Sequence, residues 1–98
     1  MGLQSDDPGG NGLRAAARRF PALGSEIGAL LARDENFRGL CDDLAAAEEA
    51  LAAAEQLPEY LRTARRREYE ELIKDLAEEI AEALERANIF PISRSPKY

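Results

Sequence analysis

The chain has 98 residues, a single cysteine, no histidine and a formal net charge of −6 at pH 7. This length holds at most one domain, and one cysteine excludes an internal disulfide framework. The negative charge makes nucleic acid an unlikely partner by electrostatics and also disfavours an anionic membrane surface.

The N-terminal part, residues 1–19, is predicted to be a disordered or frayed tail. Its beginning is rich in glycine and has no apolar period. Its end carries Arg14, Arg18 and Arg19 but few large apolar side chains, and a short isolated helix is marginal in water. We interpret the basic segment as a solvated lead-in; the alternative is a docking arm for an anionic partner.

A short leading helix is predicted over residues 21–32, because Pro21 suits the first turn of a helix. It is expected to cover the far end of the last helix. Asp34 is a good N-cap, which favours a break before the next helix, although a continuous helix is also compatible with the sequence. One face of the leading helix is apolar and carries Phe20, Leu23, Ile27, Leu30 and Leu31.

Two longer helices are predicted over residues 34–56 and 59–87, separated by Pro58, which a helix interior would not accept. Apolar residues recur in both at alternating steps of three and four, which is the spacing of packed helices. A short connection makes such helices antiparallel neighbours. The stripes are Phe37, Leu40, Leu44, Ala47, Leu51 and Ala54 in the first, and Tyr69, Ile73, Leu76, Ile80, Ala83 and Ala87 in the second.

The predicted fold is therefore all-α: an antiparallel two-helix, coiled-coil-like hairpin with a short leading helix, spanning residues 20–87 and flanked by flexible termini. Asn88 is a plausible helix stop, and residues 88–98 are predicted to be a flexible tail. The apolar segment of Ile89, Phe90 and Ile92 at its start either docks on the helices or serves as a linear binding motif.

The residue types argue against catalysis. Histidine, the commonest general base and metal ligand, is absent, and one thiolate cannot build a metal site. Adjacent glutamates such as Glu70 and Glu71 point about 100° apart on a helix and do not converge on one proton. We expect no enzyme activity, no cofactor and no metal, and we expect Cys41 to be a buried small apolar residue rather than a reactive thiol.

An arginine cluster near the turn between the long helices is the sharpest polar feature. It could bind phosphates or an acidic partner, or pair with neighbouring glutamates on the surface. The candidate partner-binding residues are therefore Arg62, Arg65, Arg66 and Arg67, together with Ile89, Phe90 and Ile92.

The order of several short motifs resembles the YdcH-like family of small uncharacterised bacterial proteins. The resemblance implies a helical hairpin with a short leading helix, and it brings no activity or cofactor with it. The alanine-rich residues 45–54 and the arginine run depart from the family pattern. The motifs are Phe20-Pro21, Asp34-Glu35-Asn36-Phe37 and Leu72-Ile73-Lys74-Asp75-Leu76.

The function predicted from these features is a protein-interaction or scaffolding module; the alternative is an RNA- or ribosome-associated factor using the arginine cluster. A homo-oligomer, in particular a dimer, is expected because apolar residues extend beyond the facing stripes. No secretory or membrane-spanning pattern is present, so a cytoplasmic location without membrane contact is expected. The residues beyond the stripes are Leu40, Cys41, Leu61, Leu72 and Leu84.

Overall fold

A computed structural model describes residues 10–89 of the chain, and these residues confirm the all-α class. Four α-helices pack against one another, with a short 3-10 turn between the first two. The elements are α1 (Gly10–Arg19), the 3-10 turn (Pro21–Leu23), α2 (Gly24–Arg33), α3 (Glu35–Ala54) and α4 (Glu59–Arg86).

The break between α2 and α3 lies at Asp34, as the N-cap pattern favoured. Asp34 has an extended backbone (φ −130°, ψ 105°), and its side chain accepts a hydrogen bond of 3.1 Å from the Phe37 amide. A guanidinium N–H of Arg38 donates to the Leu31 carbonyl at 2.8 Å, which satisfies an acceptor at the end of α2. Local capping chemistry therefore ends one helix and begins the next.

The predicted interruption near Pro58 is also confirmed. Helix α3 ends at Ala54, and Pro58 precedes α4 with φ −55° and ψ 150°. The Pro58 carbonyl accepts hydrogen bonds from the Leu61 and Arg62 amides, so proline starts α4 without having to donate a bond itself. Helices α3 and α4 contact each other on either side of this connection.

The core is one cluster that draws on all four helices and the 3-10 turn. Phe37 and Leu44 of α3 and Ile80 and Leu84 of α4 are at most 1% exposed. These positions belong to, or flank, the apolar stripes read from the sequence. The spacing of large apolar residues therefore identified the buried faces of both long helices.

Helix α1 corrects the prediction of an N-terminal tail over residues 1–19. Residues 10–19 form a helix that packs on α3, and its Ala15 and Ala16 are fully buried. Short helices that are marginal in isolation are stabilised by tertiary contact, which the prediction did not foresee here. Residues 1–9 lie outside the part of the chain that the structure describes.

The leading helix α2 packs against α1 and α3, and α1 is the element that reaches both α3 and α4. Ile27, Leu30 and Leu31 of α2 are buried in the common core. The leading region therefore consists of two short helices rather than one, and together they lie against the longer pair.

The end of α4 is a left-handed cap at Asn88, which has φ 60°. The Asn88 amide donates to the Glu85 carbonyl, and the Ile89 amide donates to the Leu84 carbonyl, each at 2.9 Å. This is the Schellman arrangement, in which a residue after the cap packs back on the helix. Ile89 does so against the core, so Asn88 and Ile89 belong to the helical domain rather than to a tail beginning at residue 88.

Candidate functional site

Arg62, the first member of the arginine cluster, contributes to the structure of the α3–α4 connection. Its Nη2 donates to the Leu57 carbonyl at 3.2 Å, and its Nε is buried without a hydrogen-bond partner. Most of this guanidinium is thus directed at the connection rather than at a partner.

Arg65 and Arg66 pair with nearby acids. Arg65 Nη1 lies 3.1 Å from Glu68 Oε1, and Arg66 Nη2 lies 2.7 Å from Glu55 Oε2, next to the end of α3. The hydrogen bond that Arg66 donates to Glu55, followed by the charge of Glu55, raises the pKa of Arg66. Surface pairs of this kind are screened by water and contribute little, so both guanidinium groups can change partners.

Arg67 is exposed and forms no salt bridge within residues 10–89. The structure therefore divides the predicted cluster of four into one arginine that holds the connection, two that are partly neutralised and one that is open to solvent. Of the apolar candidates, Ile89 packs on the core, whereas Phe90 and Ile92 lie outside the described residues.

Two of the three basic residues of α1 pair with α3, which does not match a docking arm that is free for an anionic partner. Arg18 Nη2 lies 2.7 Å from Glu48 Oε1, and Arg19 Nε lies 3.5 Å from Glu48 Oε2. Arg14 Nη1 donates to Asn11 Oδ1 at 2.9 Å within α1 itself. Glu48 thus fixes the end of α1 against α3, a role that helix periodicity alone did not indicate.

Cys41 is fully buried and unpaired, as the sequence analysis expected. Burial, and to a smaller extent the charge of Asp42, raises the pKa of its thiol to about 12. The group therefore stays a neutral thiol near neutral pH and packs as a small apolar residue.

Residues 10–89 contain no cluster of three or more histidine, cysteine or acidic side chains able to hold a metal ion. None of the helices in this range combines the length and apolar composition that crossing a membrane requires.

A groove of about 390 Å³ runs along one flank of α4, beside the end of α1 and α3. Leu51, Ile73, Ala77 and Ala81 form its apolar lining. Sequence analysis did not identify it, although Ala77 and Ala81, four residues apart and beside the α4 stripe, are a recognisable signal. Its polar residues are Arg19, Glu70, Lys74 and Glu78.

The opposite flank of α4 carries Leu72, which is 45% exposed. Leu72 lies about 100° around the helix from the buried Ile73, on the side away from Lys74 and Ala77. On this flank Glu68 lies one turn from Leu72, and Arg65 and Glu79 lie two turns away. The half-buried Leu61 lies three turns away. We call these five residues, Leu61, Arg65, Glu68, Leu72 and Glu79, the Leu72 face.

Five apolar residues beyond the stripes are expected from the sequence to leave apolar surface exposed, and the structure corrects this expectation in part. Cys41 and Leu84 are fully buried within the chain, and Leu40 and Leu61 are half-buried. Helix α1 accounts for the difference at Cys41, because it approaches α3 at this position. Leu72, at 45% exposed, is the member of that predicted set that keeps the most surface in water.

No protein-family model, curated protein or solved structure matches the chain. The YdcH-like resemblance therefore stays a prediction.

Proposed function

We propose that the chain is a non-enzymatic helical module that binds protein through the Leu72 face. The observation that carries this proposal is the contrast between the two sides of the long helices. Arg38, Cys41, Asp42 and Glu48 of α3 meet α1 or α2 on one side, whereas Leu72 is exposed on the other.

The proposal includes an antiparallel, coiled-coil-like hairpin formed by α3 and α4. In support, Glu55 after the end of α3 pairs with Arg66 near the start of α4. Leu51 and Ile73 line the same groove farther from the connection. A connection of this length usually joins antiparallel neighbours, and such a pair presents two long faces of which α1 and α2 occupy one.

Protein is a better fit to this face than nucleic acid. An exposed leucine flanked by one arginine and two glutamates suits a partner with mixed charge and an apolar centre. Arg65 and Arg66 are partly neutralised and Arg62 is used internally, so little of the arginine cluster is left for phosphates. Association with RNA through Arg67 and its neighbours is the second candidate, and the cytoplasm is the proposed location of both.

Site-specific photo-cross-linking in the native cell tests this function. A photoreactive residue replaces Asp75, which is exposed and about one turn from Leu72, and a control replaces Ser25 on α2. We expect protein adducts at position 75, absent at position 25 and lost in a Leu72→Glu background. The proposal fails if position 75 gives no protein adduct. A photoreactive residue in place of Arg67 tests the second candidate, and the proposal also fails if salt-sensitive RNA adducts at position 67 are the only products.

A further inference from the structure

The geometry of α4 points to one occupant of the Leu72 face: we propose that a second copy of this chain binds there, in an antiparallel, two-fold symmetric dimer. The proposal rests on the proposed function and specifies its partner. Its centre is a contact between Leu72 of one copy and Leu72 of the other.

Leu72 lies at the middle of its helix. Thirteen residues of α4 precede it and 14 follow it, so two copies can cross at Leu72 and overlap along almost the whole helix. At about 1.5 Å per residue, α4 is roughly 42 Å long. A two-fold axis through the Leu72 contact would therefore place equal lengths of helix on each side, as a self-complementary interface requires.

The charges on either side of Leu72 are complementary under this symmetry. Arg65 precedes Leu72 by seven residues and Glu79 follows it by seven, and seven residues are two turns on the same side of a helix. A two-fold axis at Leu72 brings Arg65 of each copy to Glu79 of the other, forming two ion pairs. Both side chains are exposed, and Arg65 would exchange its weak surface pair with Glu68 for the pair with Glu79.

Parallel packing of the two copies lacks this complementarity. It would set Arg65 against the other Arg65 and Glu79 against the other Glu79, and like charges across an interface are unfavourable. Leu61, three turns before Leu72, is half-buried and extends the apolar part of the face on one side of the centre.

Association of the copies recovers apolar surface that the isolated chain leaves in water. Leu72 is 45% exposed, and Leu61 and Leu40 are half-buried. Helix α1 reaches α4 on the flank opposite Leu72, where Arg19 lies in one groove with Lys74 and Ala77, so it does not obstruct the approach. The dimer would contain four long helices in contact, an arrangement that four-helix bundles use.

Sedimentation equilibrium of the full chain tests the dimer with variants in which the charges at positions 65 and 79 are reversed singly and together. Arg65→Glu and Glu79→Arg each set like charges together, and we expect each to weaken dimerisation about tenfold or more. The double variant restores opposite charges across the axis, so its dissociation constant should return to within about threefold of the wild-type value. Leu72→Glu should give monomer.

Arg67→Glu is the matched control, because it makes the same charge change two residues away. Two residues are about 200° around a helix, so position 67 faces away from the proposed axis, and this variant should dimerise as the wild type does. Circular dichroism of each variant verifies that the chain keeps its helices.

Three results would overturn the dimer. They are a wild-type chain that stays monomeric at high micromolar concentration, single variants that leave the dimer unchanged, and a double variant no tighter than the single ones. A monomer whose position 75 still cross-links to another protein overturns the dimer alone. Absence of every protein adduct overturns the proposed function as well.

Discussion

Helix α3 makes two interfaces that differ in kind. On the stripe predicted to face α4 it carries large side chains such as Phe37 and Leu44, both at most 1% exposed. Against α1 the contact is made by small residues, and a Cβ placed on Gly12 would lie 2.7 Å from Asp42 Oδ1 and 3.0 Å from the backbone of α3. Large side chains fill the interface between α3 and α4, whereas the backbones of α3 and α1 lie close together with small side chains between them.

The difference explains which helix the periodicity of apolar residues can detect. Burial of a leucine or phenylalanine contributes about 1.5–3 kcal/mol, so such residues must recur on the buried face. Glycine and alanine bury little area each, but they allow many short contacts between backbones. Ala15 and Ala16 are fully buried, yet alanine in a sequence does not indicate whether a helix face is buried or exposed.

The largest expected effect comes from opening the interface of large residues. Leu44→Ala removes a fully buried side chain from the apolar stripe of α3. We expect it to lower the free energy of unfolding by about 2–5 kcal/mol, measured by urea denaturation. In dilute protein the matched control Leu72→Ala should cost less than about 1 kcal/mol, and an equal loss for both would contradict the assigned burial.

The interface of small residues is tested by adding one methyl group. Gly12→Ala improves helix propensity but forces α1 away from α3, and we expect a net loss of about 1–3 kcal/mol. Gly39→Ala is the control, because a Cβ at Gly39 meets nothing within 4 Å. It should stabilise the chain by roughly 1 kcal/mol, so the two substitutions should have opposite signs in thermal unfolding.

Cys41 lies where the two interfaces meet, and its thiol makes stability depend on pH. Its pKa is raised from 9.0 to about 12 by burial, so the folded chain retains a proton that the unfolded chain loses. The stabilisation is complete below pH 9.0 and should fall by about 1.4 kcal/mol per pH unit as pH rises toward 12. The measurement is the free energy of unfolding of the wild type minus that of Cys41→Ala at each pH, because the subtraction removes the contribution of tyrosine ionisation. If this difference does not change between pH 9.0 and about 12, burial of the thiol is contradicted.

The smallest effect is expected at the polar edge of the α1 contact. Glu48→Gln removes the charge that pairs with Arg18 and Arg19, and exposed pairs of this kind contribute less than about 1 kcal/mol. The loss should be largest at low salt and should shrink as salt screens the wild-type pair. Glu49→Gln, a neighbouring exposed acid, is the control, and a similar loss there would indicate general charge effects rather than these two contacts.

Several elements of the fold follow from local patterns. Asp34 caps α3, Pro58 separates α3 from α4, and Asn88 ends α4 with a left-handed backbone. Each depends on the preference of one residue type for one backbone conformation, which the sequence displays directly. The apolar stripes of α3 and α4 are equally direct, because helical spacing converts sequence separation into position around an axis.

The candidate site was less predictable. The arginine cluster was visible as a run of charge, but its division among Leu57, Glu68 and Glu55 depends on the positions of the neighbouring elements. Leu72 was one of several apolar residues outside the stripe. Leu72 could be distinguished from the others only because the structure shows Cys41 and Leu84 to be buried.

The amino-acid order by itself determined the helical class, the interruptions and the faces that carry large apolar residues, because these follow from backbone preference and helical period. Tertiary structure alone decided that residues 10–19 form a packed helix and that Leu72 is left in water. Both depend on which side of α3 receives a third helix. The packing of α1 on that side depends on how closely its backbone approaches the backbone of α3. The residues that meet there are about 30 positions apart in sequence, so no local pattern encodes their contact.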